Sequence, residues 1–334
     1  MKRFKVALVS VDAPEVPNWV CEEIADGDVD LVIRDCKEPE EVIEVAHDAD
    51  VVWVFGGGRV VTAECLPELK ECIAVLRSGS GTDNIPVIQA TELGILVANT
   101  PQATCETVSD HAVALLLSLV RKIVSFDKSV RKGAWTYRDT TPPSPFQGKV
   151  LGLIGFGFIA RRVAEKLSGF DLSYVAYDPF VDEEVFRSFG VLGVSLEELL
   201  ETSDYISIHC PLKADTHHLI DERALRRMKP GALLVNTARG AIIDEKILLR
   251  AIKEGWIGGA ALDVLETPPN GAPQPLLDLD NVILTPHMAG YVEDHLKPFW
   301  EHSVRTILDL ANGRLPSSYV NPEVKPRKIL LEVN

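Results

Sequence analysis

Gly155, Gly157 and Ala160 follow one another at the spacing of a turn that cradles phosphate, and Asp178 stands 23 residues beyond the first of them. Gly155 permits the tight turn, Gly157 lets the backbone approach a pyrophosphate, and Ala160 keeps the following helix close to a sheet. The unpaired amides and positive dipole end of that helix favour anions. An acid about 20 residues on can accept hydrogen bonds from ribose hydroxyls. Further chemistry-bearing residues close other apolar runs: the loops 56–59 and 78–84, then His209, Arg239, Asp263 and His287. One polar strand end is chance, but six carrying Gly, Arg, His and Asp describe a site. Ligands of open parallel sheets bind outside the carboxyl ends of the strands.

The elements that position these residues are legible as apolar runs. Residues 150–154 form a run suited to a strand buried on both faces, and 159, 163, 164 and 167 continue with helical period. A second run, 174–177, leads into Asp178. Upstream, 6–9, 31–33, 51–55, 73–76 and 95–98 read as strands, with a loop carrying Pro14 and Pro17 after the first. Helices are expected over 38–46, 62–69 and 86–93. Thr104 caps a long helix through Val120 and beyond, and a Pro- and Thr-rich loop covers 140–145. Downstream, strands at 205–208, 233–235, 260–265 and 282–284 alternate with helices. One of these is opened by Ser195 and Glu198, one spans 221–228, and one is capped by Asp244. A last helix over 292–310 stops at Gly313. This alternation implies parallel sheets with helices on both faces. The last helix follows a completed nucleotide-binding set, so its use is to pack back on the first domain. The expected organisation is a discontinuous domain, 1–100 with 292–334, into which 101–291 is inserted, with the active cleft between the lobes.

Composition narrows the classes. At 334 residues the chain suits two domains, and 46% hydrophobic with 25% charged residues is ordinary for a globular protein. A net charge of -15 argues against nucleic acid or anionic membrane as partner, so an anionic ligand depends on local cations and amides. Six cysteines without metal-ligand spacing read as free thiols in a reducing compartment. The segment after Met1-Lys2-Arg3 is broken by Asp12, too short for a signal peptide. The apolar run 112–120 is half a membrane span. A cytoplasmic protein without metal is expected.

Several motifs taken together resemble the D-isomer-specific 2-hydroxyacid dehydrogenase family over residues 5–322. They are SGTDNI at 80–85, NTPQATCETVSDHAVALLL at 99–117, GFGFIA at 155–160, HCPL at 209–212 with Thr216, NTARG at 236–240, ALDV at 261–264 and TPHMAG at 285–290. The resemblance implies a Rossmann dinucleotide-binding domain inserted into a flavodoxin-like substrate domain, with NAD as cofactor. It implies that Arg239 binds the substrate carboxylate and polarises the keto oxygen. A guanidinium suits that role because its donors match a carboxylate in pairs. It also implies that His287 is the general acid/base, since imidazole exchanges protons near neutral pH. Phe158 and Ile159 would lie at the pyrophosphate turn and Asp178 at the ribose. Thr237, Ala238, Asp263 and Gly290 would lie toward the nicotinamide, with Val108 behind its ring. His209, Cys210 and Thr216 would line the adenosine side. The loops carrying Gly57 and Gly58, and Ser80 and Gly81, would face the substrate anion. Members of this family commonly pair as dimers through the helix at 104–120.

Three departures stand out. Phe158 replaces a cation common in the family, leaving Arg161 or Arg162 to compensate. Three glycines at 56–58 replace an Arg-Ser. The family's catalytic glutamate falls at Pro268, so either Glu266 reaches His287 or His287 works without a carboxylate partner. In the second case, reduction of an oxo acid should fall off sooner on the alkaline side. The absent acid also leaves a second reading: a non-catalytic NAD(H)-sensing protein resembling the C-terminal-binding corepressors.

Overall fold

A computed structural model describes residues 3–12, 15–138, 141–269 and 274–331. Pro14 and Thr140, both read as loop residues, lie outside these, as do Met1 and Lys2. The chain divides into two units. The first comprises 1–104 with 293–334 and the second 105–292.

In the first unit, strands β1 (Phe4–Leu8), β2 (Val29–Ile33), β3 (Val51–Phe55), β4 (Ala74–Ser78) and β5 (Leu96–Asn99) form one parallel sheet in the order β2-β1-β3-β4-β5. That is the flavodoxin-like winding. Val, Ile and Leu fill both faces, as a parallel sheet covered on both sides requires. Helices α1 (Asn18–Asp26), α2 (Pro39–Ala46) and α3 (Val87–Glu92) accompany it. The expected helix at 62–69 is only a short 3-10 turn, Leu66–Glu68, because Pro67 supplies no amide and blocks a full helical turn. The sequence pattern predicts no helix where α1 stands. This helix buries Val20 and Ile24, one turn apart, and two buried residues over nine make a faint periodic signal.

The second unit opens with α4 (Cys105–Val120), which follows a 3-10 turn, Pro101–Thr104. Lys122 then adopts φ +55°, breaking the expected single helix before α5 (Ile123–Arg131). Strands β6 (Val150–Ile154), β7 (Ser173–Tyr177), β8 (Leu192–Gly193), β9 (Tyr205–Ile208), β10 (Leu233–Asn236), β11 (Gly259–Leu262) and β12 (Val282–Leu284) form a second parallel sheet. Its order is β12-β11-β10-β9-β6-β7-β8, the Rossmann winding with one strand added. Five further helices belong here: α6 (Phe158–Lys166), α7 (Glu183–Ser188), α8 (Leu196–Thr202), α9 (Glu222–Arg227) and α10 (Glu245–Lys253). Three start on the expected kind of cap. Ser195, Asp221 and Asp244 accept from the amides of Glu198, Ala224 and Ile247.

Residues 101–120 are as long and apolar as a membrane-crossing helix, more so than the run 112–120 suggested. Here that apolar side is core. Ala112, Leu115, Leu116, Leu119 and Val120 pack with Leu151, Leu153, Phe156 and Val163. The final helix, α11 (Leu296–Ala311), returns to the first unit. Its Trp300, Val304, Ile307 and Leu310 meet Leu8, Trp53 and Leu76, and the Trp300 ring stacks on Phe55 at 3.8 Å. Each such side chain contributes roughly 1.5–3 kcal/mol of burial.

Candidate active site

The register of the second sheet aligns the candidate residues. Tyr177, Ile154, Ile208, Asn236, Leu262 and Leu284 are successive partners across β7, β6, β9, β10, β11 and β12. The residues that follow them, Asp178, Gly155, His209, Thr237, Asp263 and Thr285, therefore stand in one row along the carboxyl edge. Arg239 and His287 lie two residues beyond this row on β10 and β12.

At the β6 end, Gly155 has φ +82°, and a Cβ there would lie 2.6 Å from the Cys210 amide nitrogen, so only glycine fits. Gly157 precedes α6, with no atom within 4 Å of where its Cβ would be. That leaves room for a ligand at the helix amides. Ala160 is fully buried, as helix–sheet contact requires. Asp178 accepts from the Phe156 amide at 2.8 Å and the Phe180 amide at 3.0 Å. A carboxylate has about four acceptor positions, so capacity for ribose hydroxyls remains.

Phe158 is 47% exposed. Neither expected substitute cation is uncommitted. Arg161 donates to the Phe156 carbonyl and lies over the Phe156 and Phe189 rings, while Arg162 pairs with Glu106 and Glu165. Ile159 packs against the same core as Val108's helix, and Val108 is itself buried. One cation unforeseen in the sequence approaches the Asp178 turn: Lys213 Nζ is 5.6 Å from the Phe180 ring centre.

His209 bonds Ser207 through Nε2 at 2.8 Å, and burial pushes its pKa down to about 4, so it is neutral. Burial pushes the neighbouring Cys210 thiol up to about 12, which makes it unreactive. Thr216 folds its own loop, accepting from the Lys213 amide and donating to the Pro211 carbonyl. Thr237 is buried and its Oγ1 has no hydrogen-bond partner among the described residues. An orphaned hydroxyl in this row suits a polar ligand group. The open helix start, the acceptor-rich Asp178 and the orphaned hydroxyl together fit a dinucleotide.

Asn236 braces the Arg239 turn, accepting from the Ala238 amide and donating to the Arg239 carbonyl. Arg239 is half-buried and its Nη1 donates to the Ala238 carbonyl at 2.8 Å. A Cβ on Gly240 would fall 2.0 Å from the Leu265 carbonyl carbon, so this glycine lets the 265–266 backbone cross the turn. Asp263 is buried and accepts from Thr285 Oγ1 and from the Met288 and Ala289 amides. His287 is exposed, with φ +54° and its amide donating to the Asp263 carbonyl at 2.8 Å. Its ring has no hydrogen-bond partner among the described residues, and Gly290 follows in the same turn.

Glu266 does not supply that partner. Its Oε1 is 2.8 Å from His218 Nε2, and His218 stacks on His217 with ring centres 4.0 Å apart. Ligand-type atoms of His217, His218 and Glu266 lie within 4.8 Å of one another. Two residues outside the expected set emerge. His111 Nε2 lies 3.0 Å from Thr285 Oγ1 and 3.4 Å from Asp263 Oδ1; its only sequence signal is its place in the motif at 99–117. In the first unit, Asn84 donates to the Gly58 carbonyl at 2.7 Å, joining the loop of Gly57 and Gly58 to that of Ser80 and Gly81. Ser80 is held by Asn99 and Thr104.

Residues 113–289 match the family described as D-isomer specific 2-hydroxyacid dehydrogenase, NAD binding domain. A glyoxylate reductase of Korarchaeum cryptofilum is 38% identical over 297 residues, covering 88% of this chain and 86% of that one. A solved glyoxylate reductase of Paecilomyes thermophila is 29% identical with a TM-score of 0.83, covering 97% and 99%. The Aquifex aeolicus D-lactate dehydrogenase, solved with NAD and lactic acid, is 31% identical with a TM-score of 0.77, covering 92% and 96%. The row of strand ends fits a dinucleotide and these likenesses agree with it: the chain belongs to the D-isomer specific 2-hydroxyacid dehydrogenase family, with NAD as its cofactor.

Proposed function

We propose that this NAD-dependent hydroxyacid oxidoreductase acts on a small 2-oxo acid and its D-2-hydroxy acid, with Arg239 holding the carboxylate and His287 moving the proton. The single observation that carries the reading is the aligned carboxyl edge, in which Arg239, Asp263 and His287 close three adjacent strands. NADH held along that row supplies the hydride. Gly157 and the α6 amides receive the pyrophosphate without a cation, Asp178 takes the ribose, and the orphaned Thr237 hydroxyl gains a partner. Thr216, Cys210 and His209 bound the adenosine side, Val108, Ala238 and Gly290 the nicotinamide side.

Arg239 orients the oxo acid through its carboxylate and draws electron density from the keto oxygen. His287, exposed at its turn, gives the proton in reduction and takes it in oxidation. The residues at 1–100 and 292–334 are assigned to substrate recognition, with Gly57, Gly58, Ser80 and Gly81 as amide donors, and those at 101–291 to NAD. The three glycines at 56–58 leave space where a side chain would exclude bulk. The chain is assigned to the cytoplasm as a homodimer. Relatives that are reductases and dehydrogenases speak against a purely sensing role.

The test is NADH oxidation against glyoxylate, hydroxypyruvate, pyruvate and phosphohydroxypyruvate. At least one is reduced. His287→Ala lowers kcat by about 100- to 10,000-fold, the usual worth of a positioned proton donor. Arg239→Ala raises KM and lowers kcat together. Failure to reduce any of the four, or full activity in either variant, overturns the reading.

A further inference from the structure

We infer that His111 is a positioning residue for His287, acting through Asp263 and Thr285. This rests on the proton role proposed for His287 and accounts for what steadies that residue when, among the described residues, no carboxylate meets its ring. Thr285 has a single hydroxyl proton, and it donates this to Asp263 Oδ1 at 2.5 Å. Its oxygen can therefore only accept from His111 Nε2, 3.0 Å away, which fixes Nε2 as the protonated nitrogen of that ring. The same nitrogen lies 3.4 Å from Asp263 Oδ1.

The Asp263 carboxylate is buried, so each donor it keeps matters. Thr285, Met288 and Ala289 all belong to the turn that bears His287, and the His287 amide itself bonds the Asp263 main chain. His111 differs. It comes from the middle of α4, 174 residues from Thr285, on a helix face packed into the core through Ala112 and Leu115. Through Thr285 it ties the turn to α4, whereas the Thr285 amide ties it to the neighbouring strand β11.

His287 occupies the left-handed region at φ +54°, a conformation a non-glycine residue holds only when its surroundings impose it. Without the His111 N–H, Thr285 Oγ1 loses its donor while Asp263 keeps its bonds from the turn, and this tie to α4 is gone. The imidazole of His287 then samples positions away from the reacting oxygen. A misplacement of about 1 Å can cost on the order of 100-fold in rate.

The experiment compares the full chain with His111→Phe, His111→Gln, Thr285→Val and the double variant His111→Phe/Thr285→Val. In His111→Phe, kcat falls on the order of 10- to 100-fold, while NADH affinity by fluorescence titration stays near wild type. His111→Gln, which restores an N–H donor, recovers most of the rate. The double variant is no slower than the slower single, because the residues act in one chain of hydrogen bonds. Side-chain nitrogen NMR, with the His287 signals identified by their loss in His287→Gln, reads the ring without turnover. They shift in His111→Phe and return in His111→Gln. A chain that reduces no oxo acid yet shows these NMR shifts overturns the proposed reaction and keeps the positioning role. Unchanged His287 signals and unchanged kcat in His111→Phe overturn the positioning role alone. So does multiplication of the two single-variant losses in the double variant.

Discussion

Glu266 holds the nearest acid in sequence to the position the family gives its catalytic glutamate, and its carboxylate is spent on His218 at 2.8 Å. The loop around it is fixed by Glu245, whose Oε2 accepts from the Glu266 amide at 3.0 Å and whose Oε1 accepts from Gln274. Reaching His287 would mean giving up these bonds. Glu266→Gln should therefore leave kcat for oxo-acid reduction within about twofold and the alkaline limb of its pH profile in place. A carboxylate that assists proton transfer would instead be worth about 100-fold or more, so a loss of that size would return Glu266 to the mechanism. The half-exposed pair with His218 contributes at most about 1 kcal/mol to stability, so unfolding should barely change.

Turns rather than strands decide where this chemistry is aimed. Gly240 is the tightest example, with the backbone of residues 265 and 266 crossing where its Cβ would be. Gly240→Ala should force the Arg239 turn and the Glu266 loop apart. The expected cost is about 1–3 kcal/mol in urea unfolding, typical of overpacking, together with a raised KM for the oxo acid. Unchanged stability with unchanged KM would mean that the crossing relaxes freely. Such crossings explain what could be read in advance and what could not. Runs such as 51–55, 150–154 and 205–208 match observed strands to the residue, because a buried parallel strand is written as a local apolar block. The polar residues ending those blocks are equally local, so Asp178, Arg239, Asp263 and His287 were identifiable. The His111–Thr285–Asp263 chain and the Asn84 tie join residues distant in sequence, and no local pattern encodes them. Likewise α1 buries only Val20 and Ile24, β8 is too short to display a period, and the break at Lys122 depends on a single backbone dihedral.

At the scale of the whole molecule, α5 poses a problem that one chain leaves open. None of its residues is buried, Ile123 and Val130 are 54% and 43% exposed, and Trp135 and Tyr137 beyond it are 88% and 73% exposed. A nine-residue helix is marginal in water unless an apolar side is covered. A second copy is the expected cover, since twofold pairing lets one patch serve both chains. Each chain carries -15, so like-charge repulsion opposes pairing while apolar contact drives it. Added salt screens the first and spares the second, so the dimer should tighten as ionic strength rises. Light scattering should give twice the 36.7 kDa chain mass. The double variant Val130→Glu/Trp135→Arg should return the single-chain mass at the same concentration. A wild-type protein that stays at one chain mass in both low and high salt would show that α5 stands uncovered, and that the assigned homodimer does not form through it.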